Sequence, residues 1–214
     1  MSVFMLCERA VGILRGKRLI LSGSERAMLE ALNYEGLAAG GAQEEAVTCA
    51  RHFAAVRDTL LFAHPWVFAR KETALAELAA NPIPRWKHAY APPAGMVKLL
   101  ALVPGNPGKN RSFWTAFEVI GGTIFTDLKR ASAIYTAGSG NTAEWDPLFR
   151  EAFCYLLASE ISMAVSGDAG FISACLRQAE TRVAKAKEIE SIAMPGQRHV
   201  RLPGYQDYSG VRSR

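Results

Sequence analysis

The sequence predicts an α+β fold: an α-helical bundle built from N- and C-terminal helices, an inserted antiparallel β domain and an extended C-terminal arm. Three observations carry this. Apolar residues recur at helical spacing within residues 1–64 and again within 148–186. Seven of the ten prolines fall between Pro65 and Pro107, which argues against helix there. Between these regions, the stretch from Arg57 to Lys71 reads as the end of an amphipathic helix that breaks at His64-Pro65 and passes into extended chain. Proline ends a helix and biases its predecessor toward extended geometry. The expected organisation is therefore 1–64 as the first part of the bundle, 65–140 as the β-rich insert, 141–194 as the second part of the bundle and 195–214 as the arm.

The first helix follows from the spacing of Val3, Phe4, Leu6, Cys7, Ala10, Val11 and Leu14 and ends near Gly12 to Gly16. A second helix is expected over Ser24–Tyr34, with Ser24 as its N-cap, followed by a small-residue loop from Gly36 to Ala42. A third runs from about Gln43 to Ala63, where Ala46, Val47, Ala50, Phe53, Ala54, Val56, Leu60 and Leu61 share a face. Six strands follow: Trp66–Leu78, Trp86–Tyr90, Met96–Val103, Phe113–Ile120, Gly122–Asp127 and Ala131–Tyr135. Gly121-Gly122 suggests a tight hairpin, and Pro104–Ser112 an exposed loop. Asp146-Pro147 is a strong helix start. Leu148–Val165 is apolar almost all round and should be central. The last helix shows one stripe through Ile172, Leu176, Ala179, Val183 and Ala186. On helical wheels Arg57 and Glu160 both fall on apolar surface, and a buried charge needs a partner, so the two are expected to form a structural ion pair.

The 214 residues carry a formal charge of +5, half are hydrophobic and a fifth charged, which is ordinary for a globular protein. Residues 197–214 hold Arg198, Arg201, Arg212 and Arg214 against Asp207 alone. No apolar run reaches membrane-spanning length, and the acidic and basic residues inside Met1–Gly16 argue against a signal peptide. Cys7, Cys49, Cys154 and Cys175 stand far apart among apolar neighbours, without histidine at metal-ligand spacing; buried free thiols and cytoplasmic synthesis are expected.

Catalytic signatures are missing. Gly138-Ser-Gly140 lacks the following Lys-Ser/Thr of a phosphate-binding loop, and neither Gly-x-Ser-x-Gly nor His-Glu-x-x-His occurs. His64 reads as a helix C-terminal residue and His88 as a packing residue within Trp86–Tyr90. No enzyme activity, cofactor or metal is expected. Trp66, Phe68, Trp86, Tyr90, Phe113, Trp114, Phe117 and Phe125 crowd the β segment, interleaved with Arg70, Lys71, Arg85 and Lys87. Together with the Arg-rich arm they define an alternative, a basic nucleic-acid-binding protein that stacks bases on its β domain. A sheet core explains the same aromatics.

Arg57-Asp58 followed by Ala63-His64-Pro65-Trp66-Val67-Phe68-Ala69 resembles the signature of T7-type tail tubular protein A, the head–tail adaptor family of short-tailed phages. Trp86–Leu99 resembles the family's Tyr-x-Leu-Pro-x-x-x-x-Arg-Val strand entry; Phe117–Gly121, Thr126-Asp127 and Tyr135 resemble its central hairpin. Trp145–Ala152, Leu157–Glu160 and Gly167-Asp168 resemble the start of its closing helices. The likeness extends over residues 46–190, while Arg15–Gly41 is longer than the family's opening helix pair and leaves open which surface meets the portal. The resemblance implies a virion structural protein of the tail or neck, made in the bacterial host cytoplasm. Its implied partners are the portal protein, the tail nozzle or tail tube protein, further copies of itself in a twelvefold ring, and DNA passing through the channel without sequence recognition; no membrane is involved. It also implies an extended arm, Gln197–Arg214, that contacts portal and neighbours, with Tyr205 and Tyr208 as anchors and Arg198, Arg201, Arg212 and Arg214 as ion-pair partners.

Overall fold

The computed structural model describes residues 1–16, 18–105, 115–138 and 141–193, the last four of these without their side chains. The fold is α+β, and the chain divides into two units: Met1–Ala69 with Gly138–Ala193, which is helical, and Arg70–Ala137, which is β-rich. The expected arm, 195–214, and most of the expected loop at 104–112 lie outside the described residues.

The helical unit contains α1 (Val3–Arg15), α2 (Gly23–Glu30), α3 (Tyr34–Ala39), α4 (Glu44–Ala63), α5 (Pro147–Val165) and α6 (Gly170–Ala193). Helix α1 starts at Ser2, whose hydroxyl accepts from the Met5 N–H, and ends at Gly16 in the left-handed region, φ +64°. A second acceptor closes its first turn: the Glu30 carboxylate takes the Val3 and Phe4 N–H groups at 3.0 and 3.1 Å. The expected second helix is revised at both ends. Ser22, not Ser24, caps α2, because Ser22 and Glu25 form a reciprocal capping box that Ser24 has no Glu or Gln to complete. The helix stops at Glu30, and the expected loop instead holds α3, capped by Asn33 and anchored by the fully buried Leu37.

Helix α5 is the centre of this unit: Phe149, Ala152, Phe153, Cys154, Leu157, Ala158 and Ile161 are all at 0 % exposure, so nearly its whole circumference is covered. Helix α6 buries Cys175, Ala179 and Ala186, but Leu176 of the expected stripe is exposed, as is Ala54 on α4. Both are long helices, and over several turns a 3.6-residue spacing drifts off a narrow contact stripe.

Among the described residues the β unit holds two three-stranded antiparallel sheets. One has the order β1 (Arg70–Ala74), β6 (Ala131–Ala137), β3 (Met96–Pro104); the other β2 (His88–Tyr90), β5 (Thr123–Thr126), β4 (Phe117–Ile120). Tyr90 and Ile124 of the second sheet share a core with Leu99, Leu102, Ala133 and Tyr135 of the first. Leu99 and Leu102 would face opposite ways on a regular strand. An extra residue at Leu100, between the Leu99–Tyr135 and Ala101–Ile134 pairs, restores both to the core side. Gly121 and Gly122 join β4 to β5 with φ +55° and +75°, the two-residue turn that antiparallel strand twist favours.

Candidate functional site

The His64-Pro65-Trp66 junction is a helix stop rather than the start of a strand. Helix α4 ends at Ala63 and His64 takes extended geometry, φ −151°. Val67–Ala69 then form a single 3₁₀ turn, so the expected strand beginning at Trp66 begins instead at Arg70, and the unit boundary moves from residue 64 to 69. The cause lies in the Trp66 side chain. Its indole is fully buried, and its Nε1–H donates to the Leu60 carbonyl at 2.8 Å, one of the acceptors that the end of α4 leaves open. Around it, ring centroids stand 5.0 Å apart for Trp66–Phe149, Phe68–Phe149 and His64–Trp66. Trp145, Phe53 and Phe153 continue the cluster, with Phe53–Phe153 at 4.6 Å. Most pairs are edge-to-face, the arrangement the ring quadrupole prefers. Trp66 and Phe68 therefore belong to the helical core and not to a β surface.

The expected Arg57–Glu160 pair does not form. Arg57 Nε donates to Asp58 Oδ1 at 2.8 Å, and Glu160 is exposed. Glu160 shares its exposed strip with Met163, which is 57 % exposed, so this sector of α5 meets solvent in spite of its apolar composition. The charged tie of α5 is Glu151, a residue that sequence reasoning missed. Its carboxylate bridges Arg9 on α1 at 3.4 Å and Arg182 on α6 at 3.0 Å, and the Arg182 guanidinium lies 4.3 Å from the Tyr155 ring centroid. Glu151 and Tyr155, four apart on one face of α5, meet the same Arg182 of α6, a pairing visible only once the neighbouring helices are known.

In the β unit, His88 is paired as well as packed, its Nδ1 2.6 Å from Glu77 Oε1. The Trp86 indole and Arg85 both donate to the Glu118 carboxylate, and these donors, the indole first, hold its pKa below the usual carboxylate value. Tyr90 and Phe125 are buried and Trp86 is half-buried; Phe113 and Trp114 lie outside the described residues. The described aromatics thus build a core instead of a solvent-facing stack.

All four cysteines are free and buried. A hydrogen bond with Cys49, then burial, pushes the Cys7 thiol well above its ordinary pKa, and burial pushes Cys154 up to about 12. These are inert thiols, since reactivity needs an accessible thiolate. Among the described residues no group of His, Cys, Asp and Glu is arranged to hold a metal, and no helix is long and apolar enough to cross a membrane. Arg198, Arg201, Tyr205, Tyr208, Arg212 and Arg214, the expected interface residues, all lie outside the described residues. The chain matches no protein-family model and none of the curated proteins.

Proposed function

We propose that the chain is a structural head–tail adaptor of a phage particle. Copies form a ring, twelvefold by the resemblance, beneath the portal protein; the ring extends the DNA channel and offers the platform on which the tail nozzle or tail tube protein docks. In this reading the protein has no catalytic role, and it acts in the neck of the virion after synthesis in the host cytoplasm. A ring of this kind uses head-to-tail contacts that close by rotation.

The observation that supports the reading most is that the residues carrying the resemblance serve packing and chain reversal. Trp66 closes α4, Phe68 and Phe149 pack against it, and Tyr90's neighbour strands form the β core. A scaffold that presents surfaces to partners needs that kind of residue. The base-stacking alternative finds no support in the burial of Trp66, Tyr90 and Phe125.

Mass photometry of the purified chain, alone and mixed with the portal ring from the same genome, tests the proposal. A discrete species of portal plus a full ring of this chain is expected. Failure of the two to associate at any salt concentration overturns it.

A further inference from the structure

The charge of this chain is divided unevenly between its two units. Residues 70–137 hold nine Lys and Arg against four Asp and Glu, whereas residues 1–69 and 138–193 hold twelve against fifteen. Within the β unit three of the four acids are already engaged. Glu77 meets His88, Glu118 meets Arg85 and the Trp86 indole, and Asp127 accepts the Lys87 backbone N–H at 3.0 Å. By contrast, the side chains of Lys87, Lys129 and Arg130 are exposed and have no ion pair or hydrogen bond among the described residues.

These three cations gather at one end of the unit. His88 pairs with Thr126, which sets Lys87 beside Asp127, and Lys129 and Arg130 occupy the short connection from β5 to β6. Strand β1 begins and β6 finishes at the opposite end of their sheet. With Asp127 included, the cluster still carries a net excess of two positive charges.

The turn that presents Lys129-Arg130 is built rather than incidental. Arg130 has φ +56°, a left-handed conformation that costs an L residue free energy and persists only when its surroundings hold it. Gly105 supplies the hold: its N–H donates to the Arg130 carbonyl at 2.7 Å, and a Cβ on Gly105 would stand 2.6 Å from that same oxygen. Leu75 N–H fixes the next carbonyl, Ala131, at 2.9 Å.

We propose that this end of the β unit binds the phosphodiester backbone of duplex nucleic acid without reading its sequence. Exposed, uncompensated Lys and Arg gain affinity by releasing counterions from phosphates. Single strands are disfavoured because Tyr90 and Phe125, which stacking would require at the surface, are buried. An apolar protein contact is not centred on the cluster: the exposed large apolar residues Val119 and Ile120 lie at the Gly121-Gly122 hairpin, at the far end of β5. The inference deepens the adaptor reading by naming residues for the DNA contact, yet it concerns the isolated chain, so it and ring assembly on the portal fail separately.

The test is anisotropy of a short fluorescent DNA duplex of mixed sequence, titrated with the full chain at salt concentrations from about 50 to about 200 mM. The comparison is with the double variant Lys129→Gln, Arg130→Gly. Glycine accepts positive φ freely, so this variant keeps or improves the fold, which thermal unfolding of both proteins verifies. The difference between the two proteins is decisive, because the arginines of 198–214 add their own salt dependence. The variant is expected to bind about tenfold more weakly at low salt, with a log–log salt slope shallower by about 2. Equal affinity and equal slope overturn the proposal. So does failure of the wild-type chain to bind duplex at low salt, which would turn attention to an acidic protein surface.

Discussion

Trp66 and Trp86 show how differently the two units are held together. Both donate an indole N–H at 2.8 Å, but Trp66 donates from full burial to a backbone carbonyl at the end of α4, whereas Trp86 donates from a half-buried position to the solvent-facing Glu118 carboxylate. The first bond is made where an unpaired partner could find no water, inside a cluster of six aromatic rings. The second competes with solvent at every moment. One unit is closed by desolvated contacts around a helix end; the other has a small core and polar clasps over it. Loss of a partner therefore matters most in the first, since an unsatisfied buried polar group costs about 1–3 kcal/mol beyond the packing that disappears with it.

The largest effect that tests this contrast is expected from Trp66→Ala. It opens a cavity among His64, Phe68 and Phe149 and uncovers the Leu60 carbonyl, at a cost of about 3–5 kcal/mol. Urea unfolding followed by helical circular dichroism measures it. Trp86→Ala should cost clearly less in the same experiment; equal losses would break the comparison.

Next in size is Gly105→Ala, which acts on the β unit alone. The new methyl group would meet the Arg130 carbonyl at 2.6 Å, and because that neighbour is backbone it must move. The expected cost is about 1–3 kcal/mol. Amide hydrogen exchange should show faster exchange in β3 and β6 with α4 and α5 unchanged. Unaltered protection in β3 would mean that the turn is softer than its geometry indicates.

Much of this architecture is legible in the chain, and the parts that are not share a cause. Helices α1, α4 and α5 follow from their spacing, from Gly16 and from Asp146-Pro147, all of which act within one turn of the residue they affect. The two-glycine hairpin is equally local. Trp66 misleads because Trp66, Phe68 and Arg70 alternate as strand residues do, while the acceptor that decides the matter, the Leu60 carbonyl, belongs to the preceding helix. Glu160 misleads because apolar composition all round a helix does not require burial all round it: Met163 beside it is exposed. The basic end of the β unit is not located by the whole-chain charge of +5, which does not say where along the chain the excess lies. Only the register that sets Lys87 beside Asp127, and the approach of Gly105 to Arg130, bring those cations together.

The smallest of the three effects separates the units by pH. Cys7, Cys49, Cys154 and Cys175 all belong to the helical unit, and the β unit has no cysteine. Burial raises Cys154 from 9.0 to about 12, and Cys7 is raised in the same direction by its bond with Cys49 and by burial. A thiol whose folded pKa lies above its unfolded value holds its proton more tightly in the fold. The stability associated with it is complete below the unfolded pKa and is lost as pH climbs from there toward the folded one. The window accordingly opens near 9.0 and runs to about 12. By about pH 10 a single such thiol should have removed about 1 kcal/mol from the helical unit. Urea midpoints for helix loss, taken between about pH 8 and about pH 10, should fall accordingly. Cys154→Ala should flatten the decline, and the exchange protection of β3 and β6 should stay level. A helical midpoint that does not move over this range would mean that water reaches the thiols, and that the helical unit is less tightly closed than the aromatic cluster around Trp66 implies.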